Sequence, residues 1–128
     1  MKIGILSDSH KKVELTKNAV EKLKIEGACY LVHAGDLEIE ENLRILKDSG
    51  LTYISVFGNN DSNLIQHQND YFIKKEPYYF KIKDIKFKLM HLPYYMSPDS
   101  DVIIYGHTHN FEEKLLNDKL FIKSNSDL

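Results

Sequence analysis

The first half of the chain alternates short apolar runs with amphipathic stretches, and the second half changes rhythm. Residues 2–7, 30–33 and 51–57 are apolar runs of strand length. Between them, residues 13–26 repeat apolar side chains at helical spacing, with Ala19, Val20 and Leu23 on one face and Gly27 as a stop. Residues 39–48 do the same, with Ile39, Leu43 and Leu46 inward and Gly50 at the end. Strand, helix, strand, helix, strand at this spacing predicts βαβ units and a largely parallel sheet covered by helices. Further on, residues 77–83, 85–91, 101–105, 111–116 and 119–123 read as strands joined by short turns. Asn117-Asp118 fits a two-residue hairpin loop. A parallel half followed by a meandering half predicts an α/β protein of two packed sheets flanked by helices.

Polar residues cluster where these strands end. The first strand runs into Asp8-Ser9-His10, the second into Gly35-Asp36 and the third into Gly58-Asn59-Asn60-Asp61. The strand starting at Ile85 ends at His91, and the one starting at Asp101 runs into Gly106-His107-Thr108-His109. Ligands of open α/β sheets bind beyond the carboxyl ends of the strands, so five such groups at one end define a candidate pocket. In Asp8-x-His10 and His107-x-His109 the two-residue spacing lets both side chains of an extended segment reach neighbouring positions of one site. Gly35, Gly58 and Gly106 each precede the polar group, where a chain leaving a strand turns sharply. The donors are carboxylate, amide oxygen and imidazole, with no thiolate. That set favours Mn, Fe, Co, Ni or catalytic Zn over structural zinc. His33, in an apolar strand, and His67, in a loop, read as satisfied structural histidines.

Composition narrows the setting. A chain of 128 residues fits one domain, residues 1–128, with 42% hydrophobic and 28% charged residues and a net charge of -2. That balance gives no pull toward nucleic acid or anionic lipid. The run from Lys74 to Lys88 is locally basic, but it alternates with Tyr79, Phe80, Ile82, Ile85 and Phe87 and reads as a solvated strand face. The single cysteine, Cys29, excludes an internal disulfide framework and reads as a small buried hydrophobe. No basic-then-apolar leader or long apolar run stands out, so a cytoplasmic protein without a membrane partner is expected.

Taken in order, Asp8-x-His10, Gly35-Asp36, Gly58-Asn59-Asn60-Asp61, His91 and Gly106-His107-Thr108-His109 resemble the motifs of the calcineurin-like metallophosphoesterases. The likeness covers nearly the whole chain and is strongest to the small bacterial and archaeal phosphodiesterases. It implies a four-layer αββα sandwich with a two-metal centre at the sheet ends. One metal would be held by Asp8, His10 and His109, the other by Asn59, His91 and His107, with Asp36 bridging. The resemblance also places Asp36, Asn59, Asn60, His10 and His109 among the residues that act on the ester. The expected reaction is hydrolysis of a small-molecule phosphodiester by in-line attack of a hydroxide bridging two divalent ions, with Mn favoured over Fe, Ni, Co or Zn.

Three features depart from the family pattern. Asn60 stands where many relatives carry a His, and an amide cannot supply a proton to a leaving group. His91 is followed by Leu92-Pro93 and a short segment to Asp101, which opens the site on one side, with Tyr94 and Tyr95 either lining the substrate face or covering core. The usual Asn-Pro-Gly-Ser-like turn and last strand are missing after Phe121, leaving a sheet edge that either a homodimer covers or reduced stability accompanies. The competing expectation is a catalytically weak scaffold or binding protein on the same fold, of which the family's retromer-coat subunit is an example.

Overall fold

The computed structural model describes residues 1–107 and 110–117. Five strands form the first sheet: β1 (Lys2–Ser7), β2 (Tyr30–His33), β3 (Thr52–Val56), the two-residue β4 (Ile73–Lys74) and β8 (Glu112–Asn117). Their order is β4-β3-β2-β1-β8, with β8 antiparallel to β1 and every other pair parallel. The second sheet is β5 (Tyr78–Ile82), β6 (Ile85–Leu89) and β7 (Val102–Ile104), with β5 antiparallel and β7 parallel to β6. Helices α1 (Val13–Ile25) and α2 (Glu40–Asp48) connect the first three strands.

Alternation along the strands builds two cores. In β1, Leu6 belongs with the helix-side cluster, where Ala19, Val20 and Leu23 of α1 meet Leu43 and Leu46 of α2. Ile3 and Ile5 point the other way, into the cluster between the sheets with Val32, Val56, Phe87, Leu89, Val102 and Ile104. The period of two along each strand therefore divides one apolar run between two interfaces. Gly4 faces the helices, where an added Cβ would lie 2.8 Å from Leu23 Cδ1, so α1 packs directly on the backbone of β1. Gly27 and Gly50, at φ 93° and 80°, follow the two helices and supply the left-handed turn that ends them.

Several expectations need correction. The second half is not a simple meander. β7 returns parallel to β6, and β8 leaves that sheet to pair with β1, because the sheets share a core and the chain can close either edge. The 3-10 turn Ser62–His67 and β4 went unrecognised, being too short for a period to register. Ile39 is half-buried at the start of α2, and the buried partners of Leu43 and Leu46 include Asn42 instead. Cys29 is exposed, since it lies just before β2 and its neighbour Ala28 is the one that packs inward. Lys88 is not solvated. It is 1% exposed on the outer face of β6, where its ammonium meets Asp99 Oδ1 at 3.1 Å and lies over the Tyr79 ring. Ser97 and Asp99 thus reach over the outer face of the second sheet at Lys88 and Tyr79. The expected strand at 119–123 lies outside the described residues, as does Asp118 of the expected hairpin turn.

Among the described residues no helix is long and apolar enough to cross a membrane. Phe87 is fully buried between the sheets and stacks on Phe80 with ring centroids 5.0 Å apart. Truncating it leaves a cavity that two rigid sheets cannot close. Phe87→Ala is expected to destabilise the fold by about 3–5 kcal/mol, against less than about 1 kcal/mol for Leu15→Ala on the exposed face of α1. Urea denaturation of the two variants checks this.

Candidate metal centre

Five strands running in the same sense deliver their following residues to one end of the sandwich: β1, β2 and β3 from the first sheet, β6 and β7 from the second. Asp8, Asp36 and His91 are buried there, and His10 and His107 are partly exposed. Two groups of ligand atoms form, Asp8 with His10 and Asp36, and Asp36 with His91 and His107, each mutually within 4.8 Å. Asp36 is common to both. Asn59 joins the second group through Oδ1, 2.7 Å from His91 Nε2. Asn60 lies beside the shared carboxylate, donating its backbone N–H to Asp36 Oδ1 at 3.0 Å and its side-chain amide to Oδ2 at 3.2 Å. Of the expected ligands only His109 lies outside the described residues, together with Thr108.

The donor chemistry suits a cation. His91 Nδ1 is 2.8 Å from the carbonyl of Ala34, which can only accept, so that nitrogen carries a proton. In the neutral ring Nε2 then presents a lone pair, and it sits 3.3 Å from Asp36 Oδ2, 2.7 Å from Asn59 Oδ1 and 3.2 Å from His107 Nδ1. The oxygens of Asp36 and Asn59 and the lone pair of a neutral His91 repel one another unless a proton or a cation lies among them. A carbonyl-anchored imidazole with its far nitrogen turned into a carboxylate and amide cluster is the usual dress of a metal-binding histidine.

The backbone is strained where the candidate ligands sit. Asp8, His10, Asp36 and His107 adopt φ of 56°, 50°, 62° and 62°. Each such residue costs on the order of 1–3 kcal/mol and persists only where the surroundings hold it. The glycines before them act more by size than by flexibility. Gly35 does turn, at φ 96°, but an added Cβ would also strike the His91 ring at 2.7 Å. At Gly58 a Cβ would lie 2.3 Å from Asp36 Oδ1, and at Gly106 it would lie 2.7 Å from the carbonyl of Ala34. Neither of these two needs a left-handed backbone. The reason first assigned to them, a sharp turn, gives way to close approach.

Four residues that sequence reasoning passed over shape the site. Asp61, fully buried, accepts the backbone N–H groups of Asp36 (2.8 Å), Leu37 (3.1 Å) and Gly58 (2.8 Å) on Oδ2 and of Glu38 (2.7 Å) on Oδ1. Burial pushes its carboxyl above the usual range, against the pull of those amide donors. Its signal was an acid at the end of a motif otherwise read for ligands. Glu38 meets His10 Nδ1 at 2.6 Å. Asn42 donates to the carbonyls of His10 (2.6 Å) and Leu37 (2.8 Å). Glu76 accepts the backbone N–H groups of His91 and Leu92, the latter at 3.1 Å, a contact that no local pattern announces.

His33 is the satisfied core residue expected. Its Nδ1 accepts the Gly35 N–H at 3.1 Å, so Nε2 donates to Ser9 Oγ at 2.7 Å. Burial, with the neighbouring His91 and His10, lowers its pKa to about 3. His67 is half-buried in the 3-10 turn, 3.8 Å from Glu40 and edge-on to Tyr71.

Comparison with known proteins identifies the family. The calcineurin-like phosphoesterase superfamily domain matches residues 1–124. The chain belongs to the calcineurin-like phosphoesterase superfamily. It is similar to the phosphodiesterase MJ0936 of Methanocaldococcus jannaschii, with 32% identity over 133 residues covering 88% of this chain and 77% of that protein. A solved archaeal phosphodiesterase superposes with a TM-score of 0.71 at 28% identity, over 86% of this chain and 74% of the other. Vacuolar protein sorting 29 of Cryptosporidium parvum superposes with a TM-score of 0.65 at 20% identity, over 85% and 65%, a likeness of fold alone. The two sheets and their helices are thus the fold of a phosphoesterase superfamily.

Two outcomes follow from the buried groups. Asp61→Asn replaces an acceptor oxygen with an amide that faces N–H donors, leaving buried donors unpaired. It is expected to cost about 2–4 kcal/mol in urea denaturation, more than Asp48→Asn on the surface of α2. His33 has its folded pKa lowered below the unfolded value, so the unfolded chain binds the extra proton and stability falls as pH drops below about 6.5. In chelator, the stability gap between wild type and His33→Asn is expected to narrow by about 2 kcal/mol from pH 7 to pH 5. A constant gap would contradict the assignment.

Proposed function

We propose that this superfamily member is a metal-dependent phosphodiesterase working through a dinuclear centre. The observation that carries the reading is the sharing of Asp36 by two separate groups of ligand atoms. In this reading Asp8, His10 and His109 hold one ion, and Asn59, His91 and His107 hold the other. His109 enters by its place in the motif, and the rest also by their position in the structure. Divalent ions at such a pair of sites supply an acidified water and positive charge against phosphoryl oxygens. The protein's own contribution is orientation. Ala34 sets the His91 ring, Asn60 clamps both oxygens of Asp36, and Asp61 fixes the loops that carry them. The oxygen and nitrogen donor set suits Mn, with Fe, Ni, Co and Zn as competitors.

Asn60 shapes the choice of ester. Its amide is committed to Asp36 and carries no proton to give, so a departing alkoxide at this position receives none from it. Substrates with good leaving groups are favoured, and diesters over alkyl monoesters. The names of the archaeal relatives support the diester reading. The same residue is the observation that favours the second reading, a scaffold with a weakened site.

Metal analysis paired with an activity panel separates these. The wild-type chain is expected to retain two equivalents of Mn and to hydrolyse an aryl phosphodiester faster than an alkyl phosphomonoester. Asp36→Asn is expected to lose bound metal together with about 100-fold or more of that activity. Two equivalents of metal with no turnover on any ester would sink the enzyme reading and favour the scaffold.

A further inference from the structure

We propose that Glu38 is a positioning residue for His10, holding its imidazole so that Nε2 serves the metal subsite formed with Asp8 and Asp36. The proposal rests on the dinuclear reading above and extends it to a residue outside the ligand set. Glu38 Oε2 lies 2.6 Å from His10 Nδ1, with the two side chains about a quarter exposed. A carboxylate can only accept, so Nδ1 carries the proton, and in the neutral ring the lone pair is left on Nε2. The bond also fixes the rotation of a ring that otherwise stands at the rim of the site.

The surroundings show that the pair is held by design of the backbone. Glu38 adopts φ 62°, one of the few left-handed non-glycine residues among the described residues. Its N–H donates to Asp61 Oδ1 at 2.7 Å, and its carbonyl accepts the Asn63 side-chain amide at 2.8 Å. His10 is pinned from the other side: its N–H donates to the Asp36 carbonyl at 2.8 Å, and its own carbonyl accepts Asn42 Nδ2 at 2.6 Å. An incidental surface ion pair joins long side chains on relaxed backbones. Here both partners sit on strained backbones tied to the same loop as Asp36. Asp61 therefore sets Asp36 and Glu38 together, and Glu38 carries that placement to His10. Carboxylates that hold the far nitrogen of a metal-binding imidazole typically govern affinity by about 10–100-fold.

The test uses the full chain with Glu38→Ala and Glu38→Gln. Titration of each with Mn by calorimetry is expected to show one of two sites weakened about 10–100-fold in Glu38→Ala, and less in Glu38→Gln, whose amide oxygen still accepts. The other site is expected to stay within about twofold, and thermal unfolding of the metal-free chains to stay nearly unchanged. Nitrogen-resolved NMR of the metal-free protein at pH 8.5 is expected to find the His10 proton on Nδ1 in wild type and mainly on Nε2 in Glu38→Ala. Unchanged affinities, or the same tautomer in both proteins, would overturn the proposal. A wild-type chain that takes up no Mn sinks the metal reading alone, and the tautomer comparison still decides whether Glu38 sets His10.

Discussion

Asp61 is buried and ionisable, yet four backbone N–H groups converge on it, three from the loop after β2 and one from the loop after β3. Those bonds hold together two loops that carry Asp36, Glu38, Asn59 and Asn60. Desolvation alone would make such a carboxyl expensive to bury. The amide donors offset that cost and in doing so turn a liability into a joint. Remove the joint and the shared ligand, its Asn60 clamp and the partner of His10 all lose their reference point at once.

The same loops carry the strain of the site. Four of the expected ligands have left-handed backbones, and three glycines stand where a single Cβ would strike a ligand or the carbonyl beside one. Strain of this kind survives only when rigid elements enforce it. The sandwich supplies that rigidity, because each ligand follows directly from a strand whose two faces are packed or paired. The second sheet contributes His91 and His107, and Glu76 fastens the chain just as it leaves β6.

Asn60 is tied to the carboxylate that both groups of candidate ligands share. Its two bonds to Asp36 make it part of the frame, and an amide in that place stabilises the shared carboxylate without offering a proton. Ser97 and Asp99 cover Lys88 on the outer face of the second sheet, while Tyr94 and Tyr95 stand exposed.

By itself the chain of residues determined β1, β2, β3 and β8 of the first sheet, both helices and the polar groups that follow the strands. Apolar period and glycine stops are local signals, and β1 and β2 begin and end where the pattern places them. The candidate ligands were legible because polar residues interrupt apolar runs at the same end of five strands. Tertiary structure alone decided the rest. That β8 pairs with β1 and β7 runs parallel to β6 depends on how two sheets share a core, which no window of sequence contains. Lys88 and Cys29 exchanged their expected environments for a similar reason: burial belongs to what lies opposite, not to the residue. Asp61, Glu38 and Glu76 went unread as supports because their partners are backbone amides and one imidazole, brought near only by folding. Ligand chemistry is written in residue type and spacing, whereas the support that orients it is written in contacts between distant loops.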